Sequence, residues 1–177
     1  MKDKLKNKKL FLMIINGPTG AGKTTLSKIL HAKLKRTAHT GLDKVKRYIS
    51  DFKRNPTDNE ISRNVAIAMT QEYLKQGISV IYDEPMTKER AISFKKMAKK
   101  YGARYFLYQL HASEPVVQLR VAQRTELLGK PKISKARVKR NYGLYMKHKS
   151  KDATIFDSEK MSSEQIASLI LKELKNI

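Results

Sequence analysis

Residues Gly17 to Thr24, GPTGAGKT, place two glycines, a lysine and a hydroxyl at the spacing G-x-x-x-x-G-K-[ST]. The chemistry this spacing suits is the holding of a nucleotide's phosphates. Glycines let backbone N–H groups curl around a β-phosphate, and a helix that follows adds the positive end of its dipole. In this reading Gly17, Gly20, Ala21, Gly22, Lys23, Thr24 and Thr25 form the grip on a nucleoside triphosphate. Lys23 reaches the β- and γ-oxygens, and the Thr24 hydroxyl ligates Mg²⁺.

A phosphate grip does not name a reaction. Transfer to a hydroxyl also needs a group that orients and deprotonates the acceptor. Asp43, in HTGLDKVKR, follows a second predicted strand, and strand C-termini line the ligand crevice of an open α/β sheet. It is placed either as that base or as the N-cap of a helix over Lys44–Ile49. Asp83 ends the apolar strand ISVIYD and is a candidate for holding Mg²⁺ or for orienting a basic residue, with Glu84 beside it.

Arg120 and Arg124 lie i, i+4 on one predicted helix face, just before a lid-like loop at about 125–134. They suit the neutralising of charge on a phosphoryl group in flight, and equally a solvated helix face. Lys46 and Arg47 follow Asp43 closely and are candidate contacts to the acceptor, as are Asp83 and, more weakly, Arg63 with Asn64. Lys135–Lys149 interleaves basic residues with Tyr142 and Tyr145, a mixture that suits nucleic acid, although tyrosines at helical spacing also build cores. The four histidines show no ligand spacing.

The elements that must position these groups alternate between strand and helix, which predicts a parallel sheet flanked by helices. LFLMII is continuously apolar, as in a strand covered on both faces. Leu26, Ile29, Leu30 and Leu34 then share one helical face. Further signals predict a short strand near Thr37–Leu42, a helix from about Glu60 to Gln76, and a strand over Ile78–Asp83. A helix capped by Thr87, the strand RYFLYQL and a helix from Ser113 to about Leu128 come next. The chain closes with a basic helix, the strand TIFD and a helix opened by the capping box Ser162 to Gln165.

The chain has 177 residues, enough for one domain with a core. Residues 1–9 read as a flexible basic tail and 10–177 as the domain. No run of the sequence is long and apolar enough for a bilayer span, and the expected location is the cytoplasm. The absence of cysteine excludes disulfides, a thiol nucleophile and thiolate metal sites. A net charge of +22 points to a polyanionic partner, or to a background bias toward lysine.

The order of grip, Asp43, Asp83 and Arg120/Arg124 resembles the small P-loop kinases that phosphorylate hydroxyls. The likeness is greatest to the kinase domain of phage-type polynucleotide 5′-hydroxyl kinases, across VIYDEPMTKERAISFKKMAKKYG and on through LRVAQRT to GKPKISKARVKRNYGLYM. It implies a five-stranded parallel sheet of order 2-3-1-4-5 with a mobile lid, ATP and Mg²⁺ as cofactors, Asp43 as general base, and a nucleic-acid 5′-OH as acceptor. Where that family has an arginine three residues after the base, this chain has Lys46. Where it has Thr-Asn after the strand aspartate, this chain has Glu84-Pro85. Zeta toxins, chloramphenicol phosphotransferases and gluconate kinases share the skeleton and act on small molecules, which keeps a small-molecule acceptor as an alternative. A non-catalytic ATP-gated switch is a third.

Overall fold

The computed structural model describes residues 10–128 and 133–175. The expected N-terminal tail, 1–9, and part of the expected lid, 129–132, lie outside the described residues.

The architecture grows from β1 (Phe11–Asn16), whose six residues are all buried. Alternate side chains feed two cores. Met13 and Ile15 pack with Leu26 and Leu30 of α1 (Lys23–Lys33) and with Ile166, Ala167 and Ile170 of α7 (Ser163–Lys175). Leu12 and Ile14 pack on the opposite face with Ala66 and Leu74 of α3 (Pro56–Lys75) and with Phe94 and Ala98 of α4 (Lys88–Lys100). Each such side chain contributes about 1.5–3 kcal/mol by leaving water, which is why the central strand tolerates no polar residue before its last position.

Around β1 stand β2 (Thr37–Thr40), β3 (Ser79–Asp83), β4 (Arg104–His111) and β5 (Thr154–Asp157), all parallel in the order β2-β3-β1-β4-β5. This is the expected order. The register aligns Ile15 with Asp83 and Asn16 with Gln109, so the carboxyl ends of the strands share one edge. On that edge also lie α2 (Leu42–Val45), a single turn after β2, and α5 (Glu114–Leu128) and α6 (Lys135–Lys147), which pack on each other through Val117, Val121 and Val138.

Local signals explain most boundaries. Thr87 and Ser134 accept hydrogen bonds from Arg90 N and Arg137 N, capping α4 and α6. Ser162 and Gln165 exchange the two bonds of a capping box. α3 starts four residues before its expected position: Asn55 Oδ1 accepts from Asp58 N, and Pro56 occupies the first turn, where its missing N–H costs nothing.

Candidate active site

The phosphate-grip segment leaves β1 at Asn16 and enters α1 at Lys23. Gly20 has φ +93°, and a Cβ there would meet the Val117 carbonyl at 2.8 Å. Only glycine lets the loop lie this close against α5. α1 starts without a side-chain cap, so its first backbone N–H groups remain available to an anion. Thr24 and Thr25 are exposed at this end.

Lys23 Nζ donates to the carbonyls of Gly17 and Pro18, each at 2.8 Å, which uses two of its three protons. Burial pushes its pKa down to about 8, against the pull of Asp83, Asp43 and Glu84, and the charge of Arg124 adds to the depression. These interactions gather Lys23, Asp43, Asp83 and Arg124 at one place on the sheet edge, although helices and strands far apart in sequence supply them.

Asp43 sits inside the single turn of α2, whose N-cap is Gly41, so the capping alternative does not hold. Desolvation works to raise its pKa. The hydrogen bond and charge of Lys46, with Lys23 and Arg124 behind them, outweigh this and hold the carboxyl below its ordinary value. Lys46 is thus joined to the carboxylate itself. Arg47 is exposed on the following turn.

Asp83 is buried. Its Oδ1 lies 3.1 Å from His39 Nε2, across the β2–β3 pairing. Gly41, at φ +142°, backs directly onto it: a Cβ there would stand 2.8 Å from both the Asp83 carbonyl and Oδ1. His39 carries no motif spacing, so only the strand register brings it to this carboxylate.

The two arginines of α5 diverge. Arg120 donates to the Ser158 hydroxyl at 3.1 Å and to the Ser158 carbonyl at 2.7 Å, bracing the turn after β5. Arg124 is the one whose charge reaches Lys23 and Asp43, and its buried Nε has no hydrogen-bond partner among the described residues. Arg63, a candidate acceptor contact, donates to Glu84 Oε1 at 2.7 Å. Arg90 donates to the same oxygen at 2.9 Å, and the Tyr82 hydroxyl bonds Oε2 at 2.5 Å. Glu84 is therefore a buried collector of two cations. The sequence shows it only as a carboxylate next to Asp83.

Among the described residues no group of three His, Cys, Asp or Glu side chains forms a metal cage. Mg²⁺ at phosphate sites relies on one or two protein oxygens plus phosphate and water, so the exposed Thr24 hydroxyl and the Asp83 carboxylate are a fitting donor set.

Beside the loop lies a cavity of about 170 Å³, lined by residues that include Asn16, Met86, Arg90, Asn141, Tyr145 and His148. Asn16 Oδ1 accepts from Gly17 N and Met86 N, so one side chain joins the cavity to the phosphate loop. Asn141 Nδ2 adds a bond to the Thr19 hydroxyl. No helix among the described residues is long and apolar enough to cross a membrane.

Known proteins place this geometry. A family model described as an AAA domain matches residues 12–142. The chain belongs to this AAA domain family. No curated protein matches it by sequence. Among solved structures, a proposed kinase from Chloroflexus aurantiacus aligns with TM-score 0.73 and 17% identity, over 96% of this chain and 98% of that one. A chain of the Pnkp1/Rnl/Hen1 RNA repair complex aligns with TM-score 0.67 and 20% identity, over 81% of this chain and 47% of that one. The tunicamycin resistance protein of Deinococcus radiodurans aligns with TM-score 0.63 and 18% identity, over 93% and 95%. The AAA domain here thus has the α/β fold of the P-loop kinases.

Proposed function

We propose that this protein is an ATP- and Mg²⁺-dependent kinase that transfers the γ-phosphoryl group to a hydroxyl, with the 5′-OH of a polynucleotide as acceptor. The observation that carries the reading is the convergence of Lys23 and Arg124 with the ionised Asp43 at the carboxyl edge of the sheet. A switch that only binds nucleotide would need neither Asp43 nor Arg124.

In this mechanism ATP binds along Gly17–Thr25, with its phosphates on the loop N–H groups and the N-terminus of α1. Lys23 and Arg124 stabilise charge on the phosphoryl group as it moves. Asp43 accepts the proton of the attacking hydroxyl, and Lys46 orients that carboxylate. Arg120 supports the nucleotide side of the cleft through Ser158. Thr24 and Asp83 would hold Mg²⁺, which would supply positive charge against the phosphates. The net charge of +22 and the exposed basic residues of α6 support a polyanionic acceptor, as does the likeness to a chain of an RNA repair complex.

A small-molecule hydroxyl acceptor is the second reading, favoured by the cavity beside the loop, which is sized for one ring. The deciding experiment offers γ-labelled ATP to a 5′-OH oligonucleotide and, separately, to a panel of small alcohols and sugars. Label should appear on the oligonucleotide, with Asp43→Asn abolishing transfer while nucleotide binding persists. Label only on a small alcohol would overturn the polynucleotide acceptor, and retained transfer by D43N would remove Asp43 as the base.

A further inference from the structure

The cavity carries more than the second reading asks of it. Its volume of about 170 Å³ is close to the ~150 Å³ that accepts a benzene ring and below the ~300 Å³ at which drug-sized pockets begin. It therefore has room for one flat ring system the size of a nucleobase. Its walls are of two kinds. Pro85, Met86, Leu144 and the ring of Tyr145 are flat or apolar, whereas Asn141, His148 and Arg90 bring polar edges.

Two lining residues, Tyr145 and His148, also carry a buried polar atom with no hydrogen-bond partner among the described residues. These atoms are the hydroxyl of Tyr145, a residue 4% exposed, and Nδ1 of His148. Arg90 is held by Glu84 at 2.9 Å, so its guanidinium is fixed in place, but Glu84 also takes Arg63 and the cluster keeps one positive charge. The pocket thus suits a flat ring whose edges carry hydrogen-bond acceptors, which Arg90 and Asn141 can meet.

What surrounds the pocket is strongly charged. α6 supplies Asn141, Leu144 and Tyr145 to the cavity. Its exposed residues include Lys135, Arg137, Lys139 and Arg140, and it contains no acidic residue. A ring pocket and a basic track on the same helix match a base followed by phosphates.

We infer that this cavity seats the base of the 5′-terminal nucleoside of the acceptor strand, and that α6 follows the phosphates behind it. The inference rests on the kinase reading above and specifies how its acceptor is held. Base stacking and edge recognition give the terminal nucleoside its grip, and α6 gives the salt-dependent remainder.

The test compares phosphorylation of a 5′-OH oligonucleotide with that of the same strand carrying an abasic residue at its 5′ end. The abasic terminus should raise KM about tenfold, the order expected for one stacked base, with kcat changed less. Leu144→Trp, at a position 52% exposed and so tolerant of the change, should fill the cavity and erase the difference between the two strands. Lys139→Gln with Arg140→Gln should flatten the salt dependence of KM and leave the difference intact. Equal KM values for the two strands with the wild-type protein would overturn the inference while leaving the kinase reading standing. Absence of label on either strand would instead remove the polynucleotide reading. Phosphorylation of free nucleosides with the same KM as strands would overturn the strand and leave a nucleoside pocket.

Discussion

Asn16 and Met86 lie 70 residues apart and are joined by a hydrogen bond of 2.9 Å from Met86 N to Asn16 Oδ1. The same oxygen accepts from Gly17 N at 2.7 Å. The first residue of the phosphate loop and the segment after β3 are thereby fixed to a single buried atom. Asn16→Ala orphans both N–H groups, each at about 1–3 kcal/mol, so chemical denaturation should show a loss of about 3 kcal/mol. Asn16→Asp keeps the acceptor and should retain more of the stability. It should nevertheless bind nucleotide more weakly, because a negative charge then lies behind the phosphate loop. Equal nucleotide affinity of N16D and wild type by calorimetry would count against a phosphate at this loop.

Gly41 and Asp83 are packed so closely that no side chain fits between them. Gly41→Ala combines a positive φ with a contact that forces the Asp83 carboxylate to move. The strain should cost about 1–3 kcal/mol in a thermal melt. If Asp83 serves the metal, the variant should also need several times more Mg²⁺ for half-maximal rate. A variant that melts lower but titrates with Mg²⁺ like wild type would separate Asp83 from the metal.

The alternation of strand and helix and the glycine loop were legible because each rests on local pattern, whereas the strand order came only with the resemblance to known kinases. Continuous apolar runs marked β1 and β3, glycine spacing marked the phosphate loop, and parallel topology then delivered Asp43 and Asp83 to its edge. Other features depended on tertiary packing. Nothing in the spacing of Arg120 and Arg124 says that one would be spent on Ser158. Nothing in the sequence joins Arg63 and Arg90 through Glu84, or His39 to Asp83, since both pairings arise from strand register and helix placement. The earlier start of α3 is written in Asn55-Pro56, a capping signal that lies ahead of the apolar pattern on which the helix prediction rests. Tyr145 belongs to the buried face of α6, as helical spacing allows, and still carries an unpaired hydroxyl.

Arg120 and Arg124 should fail in different ways. Arg120→Met breaks two charge-assisted bonds to Ser158 and should lower stability by about 2–4 kcal/mol, with nucleotide affinity falling alongside. Arg124→Met removes a donor whose Nε has no partner among the described residues and should leave the melting temperature nearly unchanged. Its effect should fall on kcat, by about a hundredfold or more, the scale for losing one preorganised charge stabiliser. Matching profiles for the two variants, by melting and by steady-state kinetics, would contradict the division of labour.

Lys23 makes the pH dependence explicit. Its pKa of about 8 in the folded protein lies below the ordinary 10.5, so the unfolded chain binds the extra proton between those values. Stability should therefore rise with pH from about 8 to 10.5, and the charged lysine is a cost at neutral pH. Lys23→Met removes that cost, so the variant should be more stable than wild type at pH 7, by about 1–3 kcal/mol, and the gap should close by pH 10.5. Catalysis runs the other way. If the ammonium must meet the incoming phosphates, kcat/KM should fall as pH rises through about 8, and kcat should hold to higher pH because bound phosphate raises the same pKa. A kcat/KM profile flat from pH 7 to 9.5 would mean that the charge on Lys23 is not what receives the nucleotide.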